Sequence, residues 1–210
     1  MENPVIIFGA NYLGRLAKEI FESNDVVVYG FLDDNKKLHS TEVDEVVVLG
    51  SMDDDGFLKL IGKKCEAFVA IDDNKFCRSI VKMLQEERQA QPVNATHKQA
   101  LISPKATIGH GNFFDNGFVL GPGSILGNHG LFHAKSHIGA ESTIGDFVQL
   151  GVGAIINSNV NVEDDVFIGS GATIISGVTI GKGARIGAGS VVIASVKAGE
   201  TVFGNPAGKV

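Results

Sequence analysis

The sequence predicts two consecutive domains: a small α/β domain with a Rossmann-like parallel sheet, then a parallel β-helix. Two observations carry this reading. From Ile102 to Val192 every sixth residue is large and apolar, and the register never slips. Ahead of that run, short apolar strands alternate with helical patterns, which implies a parallel sheet covered by helices. The domains are placed at 1–97 and 98–210, because Pro92 and polar residues between Gln91 and Gln99 break the first pattern.

The six-residue step rules out other elements. An amphipathic helix repeats every ~3.6 residues and a half-buried strand every second residue. A short fixed period signals a solenoid, with one strand and one tight turn per repeat. Three repeats close a triangular coil, so residue n stacks on residue n+18 with strands ~4.8 Å apart. Ile102, Leu120, Ile138, Ile156, Ile174 and Val192 then form one interior ladder, and Phe114, Phe132, Leu150, Ile168 and Ile186 another. Two residues before many anchors the side chain is small, as at Ser124, Ser136, Ala154 and Ala184. Glycine follows many anchors, as at Gly121, Gly139, Gly169 and Gly187, and is expected to supply positive φ at the turns.

In the first domain, Val5–Gly9 reads as a buried strand, and Leu13, Leu16, Ala17, Ile20 and Phe21 as one face of a helix. Further strands are expected at Val26–Tyr29 leading into Phe31-Leu32, at Val46–Leu49 and at Ala67–Ile71. Helical patterns lie at Phe57–Ile61 and through Phe76, Ile80 and Leu84. The first strand–helix turn, Gly9-Ala10-Asn11-Tyr12-Leu13-Gly14, can offer amide groups and a helix end to a phosphate. It can equally be a turn with no ligand. Asn11 replaces the middle glycine of a dinucleotide fingerprint, which disfavours NAD. Asp33 and Asp34 close the second strand, where a carboxylate can accept from a sugar hydroxyl.

Composition excludes several function classes. A net charge of -6 does not suit a nucleic-acid surface. No apolar run reaches the ~20 residues that span a bilayer, and no basic leader precedes the first strand. Cys65 and Cys77 fit neither a redox pair nor a zinc knuckle, so a cytoplasmic protein without a metal is expected.

Several motifs together carry a family resemblance. They are Ile7-Phe8-Gly9-Ala10, Phe31-Leu32-Asp33-Asp34, Ala70-Ile71-Asp72-Asp73-Asn74, His97 with Leu101-Ile102-Ser103-Pro104, Ile144-Gly145-Asp146-Phe147, and Gly204-Asn205-Pro206-Ala207. The chain resembles the sialic-acid O-acetyltransferases and the similar UDP-amino-sugar N-acetyltransferases of bacterial glycan pathways. The resemblance implies a left-handed coil, a homotrimer and acetyl-CoA or another acyl-CoA between neighbouring β-helices. It also implies a sugar nucleotide on the N-terminal domain. CoA would meet Gln149, Ser170, Ala188, Gly204 and Pro206, and the acceptor Asn11, Tyr12, Leu13, Asp33, Asp34 and Asp72.

The chain departs from that family where the chemistry lies. The family's histidine base aligns with Ala140, while its acidic partner is present as Glu141. A second family histidine aligns with Gln149, the first-turn Gly-His pair with Tyr12-Leu13, and a glycine with Asp72. Acyl transfer needs a proton acceptor for the attacking group and donors for the carbonyl oxygen. His137 and His133 are therefore the candidate bases, with Glu141 as orienter or as base itself. The alternative is a non-catalytic trimeric binding protein that lost its base at Ala140.

Overall fold

The computed structural model describes residues 3–210, which form two compact units divided between Lys98 and Gln99. The first contains β1 (Val5–Phe8), α1 (Tyr12–Ser23), β2 (Val28–Leu32), β3 (Glu42–Val43), β4 (Val46–Gly50), α2 (Asp55–Leu58), β5 (Glu66–Val69) and α3 (Asn74–Arg88). The sheet order is β3-β4-β2-β1-β5. Strands β4, β2, β1 and β5 run parallel, and only the two-residue β3 is antiparallel to its neighbour. Ile6, Ile7, Phe8, Phe31 and Phe68 are wholly buried, as a sheet covered on both faces requires.

Each helix begins at a side-chain cap. Asn11 accepts from Leu13 N and Gly14 N, Asp54 from Gly56 N, and Asp73 from Phe76 N. Helix α1 buries Leu13, Ala17, Ile20 and Phe21, and the Phe21 ring meets Phe68 edge-on at 5.7 Å. Two glycines allow the close approach of α1 to β1. A methyl on Gly14 would lie inside the Gly9 carbonyl, and one on Gly9 (φ +105) would sit 2.6 Å from Ala70 O. The expected helix at 57–61 is a single turn, Asp55–Leu58, and the β3 hairpin edge was not foreseen.

The second unit is a left-handed parallel β-helix. Face one runs from Leu101–Ile102 through Val119–Leu120, His137–Ile138, Ile155–Ile156 and Thr173–Ile174 to Val191–Val192. Face two holds Thr107–Ile108 to Thr179–Ile180, and face three Phe113–Phe114 to Arg185–Ile186 and then Thr201–Gly204. The register is that of the n+18 stack: Val119 pairs with His137, Leu131 with Gln149, Gln149 with Phe167. From Phe114 onward every anchor is buried. The residues two before them are buried as well, so each repeat puts two side chains inside the prism. Phe114, Phe118 and Phe132 fill the first rungs, with Phe114 stacked on Phe132 at 5.4 Å and on Phe118 at 5.0 Å. Thr201–Gly204 turns into Ala207–Lys209, which returns antiparallel along the outer edge of face three.

The glycines that follow anchors have a different cause from the one expected. Positive φ falls two residues later, at Gly123, Glu141, Asn159 and Gly171 for example. The post-anchor glycines are needed because the next rung is too close for a Cβ. One on Gly139 would lie 2.6 Å from Ser158 N, and one on Gly169 2.5 Å from Ala188 N. Among the described residues no helix is long and apolar enough to cross a membrane.

Candidate active site

The amide groups at the β-helix corners fall into two sets. After face two, side chains of the following rung close them. His110 N donates to Asn128 Oδ1 (2.9 Å), Asn128 N to Asp146 Oδ1 (2.7 Å), and Asp146 N to Asp164 Oδ1 (3.0 Å). After face one, the amides of Ala140 and Ser158 have no acceptor among the described residues. After face three, the same holds for Ser170 and Ala188. These open donors lie along two edges of the prism, where a ligand can accept from them. Sequence reasoning missed them, because a donor on the main chain leaves no mark in residue type.

Beside the first of these edges is a cleft of ≈ 600 Å³, lined by Leu101, Val119, Gly121, His137, Ala140 and Ser158 among others. His137 stands on the outer side of face one, its backbone fixed by bonds from His137 N to Ala154 O (2.9 Å) and from Gly139 N to Ile156 O (2.8 Å). The other two expected catalytic residues do not line this cleft. His133 sits at the preceding corner with its ring edge-on to Phe113, centroids 6.0 Å apart. Glu141 adopts φ 56 at the following corner, and its stem lies over Gly123. The structure therefore does not bring Glu141 and His137 together as base and orienter in this cleft.

Along the second edge, Ser170 and Ala188 occupy the same corner on successive rungs, joined by Gly189 N to Ser170 O at 2.9 Å. Both are exposed. The terminal hairpin reaches this edge, where Gly204 N donates to Ser190 Oγ at 3.1 Å, with Pro206 exposed at its turn. Gln149 is half-buried on face three, between Leu131 and Phe167. Phe203 packs over Gly187, where even a methyl group would strike its ring.

In the first unit, β1 connects to β2 on one side of the sheet, while β5 lies on its other side. Such a reversal opens a crevice at the carboxyl ends of the strands. Asn11 and Tyr12 bridge it: Asn11 Nδ2 donates to Ala70 O (3.0 Å) and Tyr12 Oη to Asp72 Oδ2 (3.2 Å). Burial, and then the Asp72 carboxylate, push the Tyr12 phenol above its ordinary range. Asp33 accepts from Ala10 N (2.8 Å) and Asn35 N (2.8 Å), and Asp34 from Met52 N (3.0 Å). Asp34 also lines a separate cleft of ≈ 480 Å³ with Lys36, Ser51, Met52, Asp53 and Met83.

Leu13 needs correcting as an acceptor contact. Its side chain is 0% exposed in the core, and its amide is already bonded to Asn11 Oδ1. Of the amides in this turn, those of Ala10, Leu13 and Gly14 are likewise taken, by Asp33 and Asn11. Among the described residues no group of His, Cys, Asp or Glu is placed to hold a metal ion.

Comparison with known proteins agrees with this architecture. Residues 4–84 match the PglD N-terminal domain, and residues 159–194 match the bacterial transferase hexapeptide (six repeats). No curated protein matches the chain significantly by sequence. Among solved structures, a mutant of perosamine N-acetyltransferase from Caulobacter crescentus, in complex with CoA and GDP-perosamine, is 25% identical. That match covers 100% of this chain and 98% of the other, with a TM-score of 0.90. WeeI from Acinetobacter baumannii is 26% identical over 99% of each chain, TM-score 0.80. The acetyltransferase domain of PglB from Neisseria gonorrhoeae, in complex with acetyl coenzyme A, is 23% identical over 100% of both chains and shares the fold at a TM-score of 0.88. The chain thus carries a PglD-type N-terminal domain over residues 4–84 and bacterial transferase hexapeptide repeats over residues 159–194, and along its whole length it is similar to hexapeptide-repeat sugar acyltransferases.

Proposed function

We propose that the protein transfers an acyl group, acetyl in the first instance, from acyl-CoA to a sugar or a nucleotide-linked sugar in glycan biosynthesis. The observation that carries the reading is the β-helix edge at Ser170 and Ala188. There, open amide donors run beside an exposed corner and the terminal hairpin. The amides and carbonyls of a pantetheine arm suit such an edge, as an added strand suits a sheet. The full-length likeness to a sugar N-acetyltransferase complexed with CoA and a nucleotide sugar supports the same reading.

Transfer is direct. The two cysteines are the only thiols, both are buried in the N-terminal unit, and burial pushes both up, Cys77 to about 12. Neither can act as a nucleophile that carries the acyl group. The acceptor nitrogen or oxygen attacks the thioester carbonyl, and corner amides such as that of Ala140 stabilise the oxyanion. Gln149, Ser170, Ala188, Gly204 and Pro206 hold the CoA. The acceptor lies against Tyr12, Asp34 and Asp72, with Asn11 and Asp33 shaping the turn beneath it.

The assembly is a homotrimer. The outer ladder of face one, Leu101, Val119, His137, Ile155, Thr173 and Val191, has four aliphatic members of six, and Leu101 is 67% exposed. A cyclic trimer sets the His137 edge of one copy against the Ser170 edge of the next, making one groove from two half-sites. Thiol release from acetyl-CoA over a panel of GDP- and UDP-linked amino and hydroxy sugars tests the activity. Light scattering tests the assembly, and a stable monomer at micromolar concentration overturns it.

A further inference from the structure

We infer that His137 is the group that takes the acceptor's proton, an assignment that rests on the acyl-transfer reading above. Among the residues that line the ≈ 600 Å³ cleft, His137 is the only ionisable side chain; the rest are aliphatic, serine, proline or glycine. Its neighbours along the outer ladder are Val119 and Ile155. No charged side chain therefore faces the imidazole from either adjoining rung or from the cleft wall. The ring makes no hydrogen bond among the described residues, so a nitrogen lone pair is open to the cleft. His133, His129 and Glu141 lack this setting. His133 is held against Phe113, His129 is buried against Phe147 at 4.9 Å, and Glu141 lies over Gly123.

The same cleft contains the complementary groups. The open amide of Ala140 is three residues on from the imidazole, and that of Ser158 one rung further. A thioester oxygen accepting from these donors shares the cleft with His137. The acceptor's N–H or O–H lone pair forms the new bond to that carbon, and the acceptor proton passes to the His137 nitrogen. Collapse of the adduct breaks the C–S bond. The departing thiolate takes the proton from His137, and the neutral imidazole is restored.

The test compares wild type with His137→Gln and His137→Ala. Loss of a general base costs ~10²–10⁴-fold in turnover. Both variants should show that loss while acetyl-CoA affinity, measured by calorimetry, stays within about twofold, a margin well below the tenfold of ~1.4 kcal/mol. The acid limb of the pH–rate profile should vanish in both, and added imidazole should restore part of the rate in His137→Ala. His110→Gln, at an exposed corner outside the cleft, is the control, and circular dichroism confirms that the variants fold. If His137→Gln keeps turnover within threefold and retains the acid limb, roughly the scatter of one weak contact, the assignment is overturned and the transfer reading stands. If wild type releases no thiol with any sugar of the panel, the transfer reading itself falls.

Discussion

The phenol of Tyr12 donates to the Asp72 carboxylate at 3.2 Å, tying the turn after β1 to the turn after β5. The pair lies at the surface across the crevice where the sheet reverses its order. Tyr12 should ionise above its ordinary value of 10.0, because burial and then Asp72 disfavour the phenolate. Asp72→Asn should bring the midpoint down but not fully, since burial is the larger cause. A raised native value means the contribution to stability is complete below the unfolded value and is lost as pH rises through the native one. Ultraviolet titration of wild type, Tyr12→Phe and Asp72→Asn checks the order. Tyr12→Phe should also change the KM for the sugar and leave that for acetyl-CoA in place.

Ala188 offers a way to block one substrate without harming the fold. It is exposed at a corner stacked on Ser170, so a tryptophan there projects outward rather than into the core. Ala188→Trp should weaken acetyl-CoA binding at least tenfold, about 1.4 kcal/mol, with an unchanged melting temperature. Calorimetry on the folded variant decides the matter, and wild-type affinity would place the CoA elsewhere.

Gly130 and Phe132 should be coupled. A methyl on Gly130 would sit 2.5 Å from the Phe132 ring and 3.1 Å from Asn112 Oδ1. Gly130→Ala alone should destabilise by about 1–3 kcal/mol, as overpacking does. In a Phe132→Leu background the same change should cost less, because the ring it strikes is gone. Denaturant titration of the four proteins measures the difference, and strict additivity would contradict the packing described.

The thiols should be silent in the native protein. Cys65 and Cys77 are buried, and Cys77 titrates only at about 12. Iodoacetamide at neutral pH should label neither until the chain is unfolded, as mass spectrometry would show. The same silence leaves a colorimetric thiol assay of CoA release free of background.

The β-helix was legible in the sequence because its cause is local and repeated. An interior ladder needs a large apolar side chain at Ile138, Ile156 and Ile174 whatever the rest of the chain does. The reason for the glycines was misread, since Gly139 and Gly169 answer to the next rung's backbone, eighteen residues away. Asn11 was legible as a turn residue, yet only coordinates show it capping α1 and bridging to Ala70 at once. The family resemblance makes Leu13 a ligand contact, as the counterpart of the histidine in the first-turn Gly-His pair, but a helix turns successive residues by ~100°, and that rotation sends Leu13 to the core. Which of the three candidate catalytic residues lines the cleft also lay beyond the sequence. His133 and His137 are four residues apart, and the corner between them sends one to Phe113 and the other to the cleft.

The hairpin at Thr201–Gly204 and Ala207–Lys209 has a further effect on the solenoid. A parallel coil is open-ended, and each exposed rung is a template on which another chain could continue it. Where the strand on face three turns back on itself, the edge it leaves is an antiparallel partner, Ala207–Lys209, running against the direction of the coil. That partner carries Lys209, paired with Glu200 at 3.3 Å. A charged, reversed strand does not continue the parallel stack and blunts that edge against a second copy. The segment that reaches the Ser190 corner thus also covers the last parallel edge of face three, and a chain cut before Ala207 should associate end to end more readily, as light scattering would show.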